Sequence, residues 1–159
     1  MGFALSNEMQ VTSSAFENHG KIPTKHTGEG EDVSPAISWT GAPGETRSFA
    51  VISHDPDAPL VKPGTYGFTH WVLYNLPAST TSLEEGASDG TAGPIDSGKS
   101  GYGGPMPPEG HGRHHYYFWV LALDCDPDLE PGMTLEQLLN KIEPNVIAMN
   151  RVIGTYKRG

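Results

Sequence analysis

Three runs constrain this chain more than anything else in it: RSFAVISH (Arg47–His54), GFTHWVLYNL (Gly67–Leu76) and HYYFWVLALD (His115–Asp124). Each is rich in β-branched and aromatic residues and bounded by turn-forming residues, the pattern of strands. In the first, Phe49, Val51 and Ser53 fall on one face and Ala50 and Ile52 on the other. The 20 glycines and 14 prolines leave little room for long helices elsewhere. Shorter strands are expected at Phe3–Leu5, Gln10–Thr12, Ala36–Trp39 and Arg151–Tyr156, with a turn at Gly41–Glu45. Residues 17–35 read as an ordered loop and residues 77–109 as turn-like.

One segment has helical spacing. Leu135, Leu138, Leu139 and Ile142 form a one-sided stripe behind Thr134, a natural N-cap. A further helical turn is expected from Pro144 through Met149. Strands joined by turns, with helix confined to the end, describe an all-β-dominated antiparallel β-sandwich of two sheets with a small C-terminal helical addition. At 159 residues the expectation is one domain, 1–159.

Charge and composition exclude several classes of partner. The net charge of −9 disfavours a broad nucleic-acid or anionic-membrane surface. No apolar run approaches the ~20 residues of a membrane-spanning helix. The single Cys125 forms no intrachain disulfide, which fits a reducing compartment. The N-terminus lacks a charged-then-apolar leader pattern, so a cytoplasmic location is expected.

The chemistry gathers at strand ends. The first run leads into HDPDAP (54–59), the second carries His70, and the third follows GYGGPMPPEGHGRHHY (101–116). If these ends converge, Asp55, Asp57, His70, His114 and Tyr116 line one small cavity. Pro56, Pro59, Pro107 and Pro108 would stiffen its rim, and a cis bond before Pro59 would fold the chain back over it. Taken singly, DPDAP also suits an ordinary turn and His70 a hydrogen-bonded core residue. The co-occurrence at three separate strand termini favours a site.

SPAISWTGAP (34–43), DPDAP (55–59), THWVLYNLP (69–77), GYGGPMPPEGHGRHHYYF (101–118) and GTY (154–156) resemble the phosphatidylethanolamine-binding protein family, in its bacterial and archaeal Raf-kinase-inhibitor-like branch. The resemblance implies a two-sheet sandwich with a pocket for phosphate-like anions, including a phospholipid head group. Position by position, it implies ligand-binding roles for Asp55, Asp57, His70, Pro108, His114 and Tyr116, with backbone from Gly104 and Pro105. It also points to pairing of two copies as a homodimer. Animal members inhibit kinases and plant members bind transcription regulators; a regulatory role here would rest on the resemblance alone. Met106 stands where relatives often carry cysteine, and His115 where arginine is common. No counterpart of the long C-terminal helix of animal relatives precedes Gly159.

Ionised carboxylates only accept hydrogen bonds. The aspartates are therefore expected to orient His70 and His114, whose N–H groups would face the anion with the Tyr116 hydroxyl. They would also suit an ammonium beside the phosphate. Each charge-assisted bond contributes on the order of 1.5–3 kcal/mol, giving roughly micromolar-to-millimolar affinity. Two other classes remain in view. His54, Asp55, Asp57, His111, His114 and His115 could ligate zinc or iron, although HxxHH on an extended segment sends His114 and His115 to opposite faces. An Asp/His acid–base pair could hydrolyse a phospho-substrate, but no GxSxG motif or activated cysteine accompanies it. The expectation is binding without catalysis, cofactor or metal.

Overall fold

The structure, a computed structural model, describes residues 2–58 and 67–159. Pro59, with the cis bond expected before it, lies outside the described residues.

The three dominant runs form the centre of a large sheet. These are β4 (Ser48–Asp55), β5 (Phe68–Pro77) and β8 (His114–Leu123), joined by β9 (Val146–Tyr156). With the short strands β2 (Gly20–Lys21) and β7 (Thr91–Ala92), the order across the sheet is β2-β9-β8-β4-β5-β7. A smaller sheet, β1-β3-β6, comprises Gln10–Thr12, Ile37–Thr40 and Ser82–Leu83. Pairing between strands is antiparallel except at one edge, where β2 runs parallel to β9 with Gly20 opposite Gly154.

The alternation read from the sequence divides the core in two. Phe49 and Val51 of β4 join Phe118 and Val120 of β8 beneath Val11, Ile37, Trp39 and Leu83 of the small sheet. Ala50 and Ile52 face the other way and meet α1 (Leu135–Ile142) through Leu135, Leu138 and Ile142. Each large apolar side chain buried in either layer contributes about 1.5–3 kcal/mol. A capping box starts α1: the Thr134 hydroxyl accepts from Gln137 N–H, and the Gln137 side chain accepts from Thr134 N–H. Among the described residues, no helix is long and apolar enough to cross a membrane.

Several local expectations need correction. β9 begins at Val146, five residues before the expected Arg151, and Met149 lies within it; the helical turn after Ile142 is only a 3-10 turn over Glu143–Asn145. Pairing along the whole of β8, from Leu123↔Val146 to His114↔Tyr156, outweighs the weak local helical preference. Of Phe3–Leu5, only Leu5 pairs, through an isolated bridge to Met149. The loop at 17–35 contains β2 and a 3-10 turn over Thr24–His26. Gly154 allows β2 and its flanks to approach β9, since a Cβ there would stand 2.4 Å from Ile22.

Candidate functional site

The antiparallel ladder brings the C-terminal end of β4 beside the N-terminal ends of β5 and β8. At that end lies a cavity of about 490 Å³, whose wall includes Asp55, His70, Gly104, Pro108, His114 and Tyr116. Four polar side chains in it are nearly inaccessible: Asp55 is 2% exposed, His70 6%, His114 2% and Tyr116 1%.

His70 reaches the wall through a β-bulge. Ser53 pairs with Trp71 but the next residue, His54, pairs with Thr69, so His70 is the extra residue on β5. A bulge re-aims side chains, and here the His70 ring packs against Phe68 and, edge-on, against Tyr116. His114 and Tyr116 lie two apart on β8 and share a face. His115, between them, is half-exposed on the other side and hydrogen-bonds Asp57.

The two aspartates of DPDAP divide their work. Asp55 Oδ2 accepts from His114 Nδ1 at 2.6 Å, and its Oδ1 accepts from the Asp57 backbone N–H at 2.8 Å. Asp57 points away from the cavity; its carboxylate accepts from the His115 backbone and ring, at 2.8 and 2.7 Å. Partial burial pushes the Asp57 carboxyl up, but the hydrogen bonds from His115 outweigh it and hold the group below the usual carboxylate range. Asp57 thus ties β4 to β8. Pro105 also stands outside the wall, its carbonyl accepting from Gly28 N–H.

The expectation that carboxylates orient both histidines holds for His114 alone. His70 Nδ1 donates instead to the Gly103 carbonyl at 2.7 Å, because the bulge turns the ring toward the 101–108 segment. Nor does His114 offer a free N–H: its Nε2 shares a 2.7 Å hydrogen bond with Nδ1 of exposed His111. Burial holds His70 below the ordinary imidazole range, against the Gly103 hydrogen bond and the charges of Asp55, Asp96 and Asp32. The Tyr116 hydroxyl is buried and makes no well-formed hydrogen bond among the described residues, although the Asp55 carboxylate stands near it. Burial, followed by the Asp55 and Asp57 charges, pushes it far above a free phenol, so it stays protonated and able to donate.

Asp32 and Lys99 also line the polar part of the wall, and sequence reasoning missed both. Asp32 adopts a left-handed backbone (φ 60°), which aspartate tolerates better than most residues. Its Oδ1 accepts from Gly104 N–H at 2.7 Å and its Oδ2 from Lys99 Nζ at 3.2 Å. Gly104 is required there, since a Cβ would meet the His26 carbonyl oxygen at 2.1 Å. The only sequence signal for Asp32 was its place in the polar GEGED stretch, and Lys99 had none. Phe68, Ile95, Met106 and Pro107 make much of the rest apolar. No set of three metal-ligating side chains converges among the described residues.

Comparison with known proteins fits this geometry. The model of the family described as phosphatidylethanolamine-binding protein matches residues 12–157. A UPF0098 protein of Methanothermobacter thermautotrophicus is 42% identical over 158 residues, covering 95% of this chain and 100% of the relative. A crystal structure from Chlamydia trachomatis, described as a homologue of phosphatidylethanolamine-binding proteins, superposes with a TM-score of 0.88 at 37% identity, covering 97% of this chain and 100% of that one. Escherichia coli YbcL, described as a new member of the mammalian family, gives 0.87 at 32% identity and covers 96% and 99%. The chain belongs to the phosphatidylethanolamine-binding protein family, and a general ligand-binding role goes with that membership.

Proposed function

We propose that the cavity binds a small phosphate-like anion, free or as a phospholipid head group, and does not turn it over. The Tyr116 hydroxyl carries this reading. Among the described residues it is a buried donor with no well-formed hydrogen bond, in the wall of a cavity large enough for a head group. An unsatisfied buried hydroxyl costs about 1–3 kcal/mol, and a ligand oxygen would remove that cost. Lys99 lends positive charge at the wall, offsetting a protein field that otherwise repels anions. Asp55 and Asp32 suit an ammonium next to the phosphate, as in an ethanolamine head group. Both YbcL and the chlamydial homologue are described in terms of phosphatidylethanolamine-binding proteins, which adds support.

One observation favours a second reading. The chain Asp55–His114–His111 links a buried carboxylate through two imidazoles to the surface, an arrangement able to move a proton. A proton path alone does not require turnover, so binding remains the better account. Titration calorimetry with inorganic phosphate and with glycerophosphoethanolamine tests it. Micromolar-to-millimolar binding that His70→Ala abolishes is expected; equal affinity in the variant contradicts it. Phosphate release from a phosphomonoester that falls in His114→Gln would instead favour hydrolysis.

A further inference from the structure

The two nitrogens of His70 have opposite roles. A carbonyl oxygen only accepts, so the bond to Gly103 fixes a proton on Nδ1. In a neutral ring Nε2 is then a bare lone pair. It has no hydrogen-bond partner among the described residues, and the ring is part of the cavity wall.

Facing this ring are Asp55 from β4, His114 and Tyr116 from β8, Asp32 from the loop before β3, and Asp96 and Lys99 from the turn after β7. The three aspartates favour a charged ring, but burial opposes it and is the larger influence. Beside a neutral ring, a fully deprotonated anion brings a lone pair against a lone pair. An anion that carries a proton turns that repulsion into a hydrogen bond. Tyr116 donates from its own side regardless.

We propose that the site takes up its anion together with one proton, held between a ligand oxygen and His70 Nε2. This rests on the anion-binding reading above. A phosphomonoester monoanion brings the proton as its own P–OH, which its dianion lacks. A phosphodiester or sulfate has none near neutral pH, so the proton is taken from solvent onto the ring. In either case the bound complex holds one proton more than the free protein and the fully ionised ligand. The site therefore prefers a singly charged phosphomonoester to its dianion and weakens as pH rises.

Calorimetry of the full chain with methyl phosphate and with sulfate at pH 8, in buffers of different ionisation enthalpy, counts the protons absorbed per anion. A count near one is expected, with affinity falling about tenfold per pH unit above pH ~7.5, as linkage requires. His70→Gln keeps an N–H donor but does not titrate; it is expected to bind sulfate with no proton uptake and a flat pH profile. Methyl phosphate uptake with one proton and no sulfate binding also supports the proposal, the proton then staying on the ligand. Measurable wild-type binding with a count near zero for either anion overturns it and leaves the anion site standing. Absence of binding by both anions from pH 5 to 8 overturns the site and the proposal together. The wild-type count decides even where His70→Gln does not fold.

Discussion

The six-stranded sheet carries a hollow on each face, and the same strands build both. On one face His114 and Tyr116 of β8 and Asp55 of β4 line the 490 Å³ cavity. On the other, Trp119 and Leu121 of β8 and Ile52 and His54 of β4 line a groove of about 300 Å³ with Phe3, Leu5 and Leu139. The difference lies in their polar groups. In the groove His54 already accepts from Trp119 Nε1 at 3.0 Å. In the cavity, Asp55 and His114 are held by protein partners, while among the described residues the Tyr116 hydroxyl makes no well-formed hydrogen bond. Side-chain shape alone makes volume; recognition needs a buried polar group with bonding capacity in reserve.

Substitutions on the two faces should therefore separate stability from binding. Leu121→Ala, at a fully buried position beside the groove, should cost about 2–5 kcal/mol in urea unfolding. Phosphate affinity should stay within about twofold if the faces act independently; a large loss would join the two regions into one unit. Asp55→Ala strands His114 without its acceptor and should cost about 1–3 kcal/mol. Here phosphate binding should vanish in calorimetry as well, and retained affinity would remove Asp55 from the site. The smallest effect belongs to Lys99→Ala. This partly exposed cation should change affinity by no more than about fivefold, in keeping with a surface pair worth ~0–1 kcal/mol. The difference should shrink at high salt, and a salt-independent loss would mean direct, desolvated contact.

How much of this was readable from the sequence depends on whether a signal was local. β4 and β8 were legible nearly to the residue, since strict alternation over eight and ten residues leaves one way to bury both faces. The α1 cap and stripe were equally local. β9 was not: residues 146–150 look helical alone, and only β8 makes them a strand. The same divide runs through the site. Asp55, His70, His114 and Tyr116 were found because strand ends in an antiparallel sheet meet. The Gly103 carbonyl on His70 depends on a bulge, and Asp32 depends on a left-handed residue in a loop. Neither leaves a pattern in composition or spacing. The separation of Asp55 from Asp57 follows from strand geometry two residues apart only once the turn after Asp55 is known.

Tyr116→Phe tests most directly the claim that this cavity holds a donor in reserve for a ligand. Removing a buried hydroxyl that makes no well-formed hydrogen bond among the described residues should leave the free protein as stable as before, or raise it by up to about 1 kcal/mol. The same change should weaken phosphate binding about tenfold, close to 1.4 kcal/mol. A variant that is less stable yet binds phosphate unchanged would mean that the hydroxyl serves the fold and not a guest.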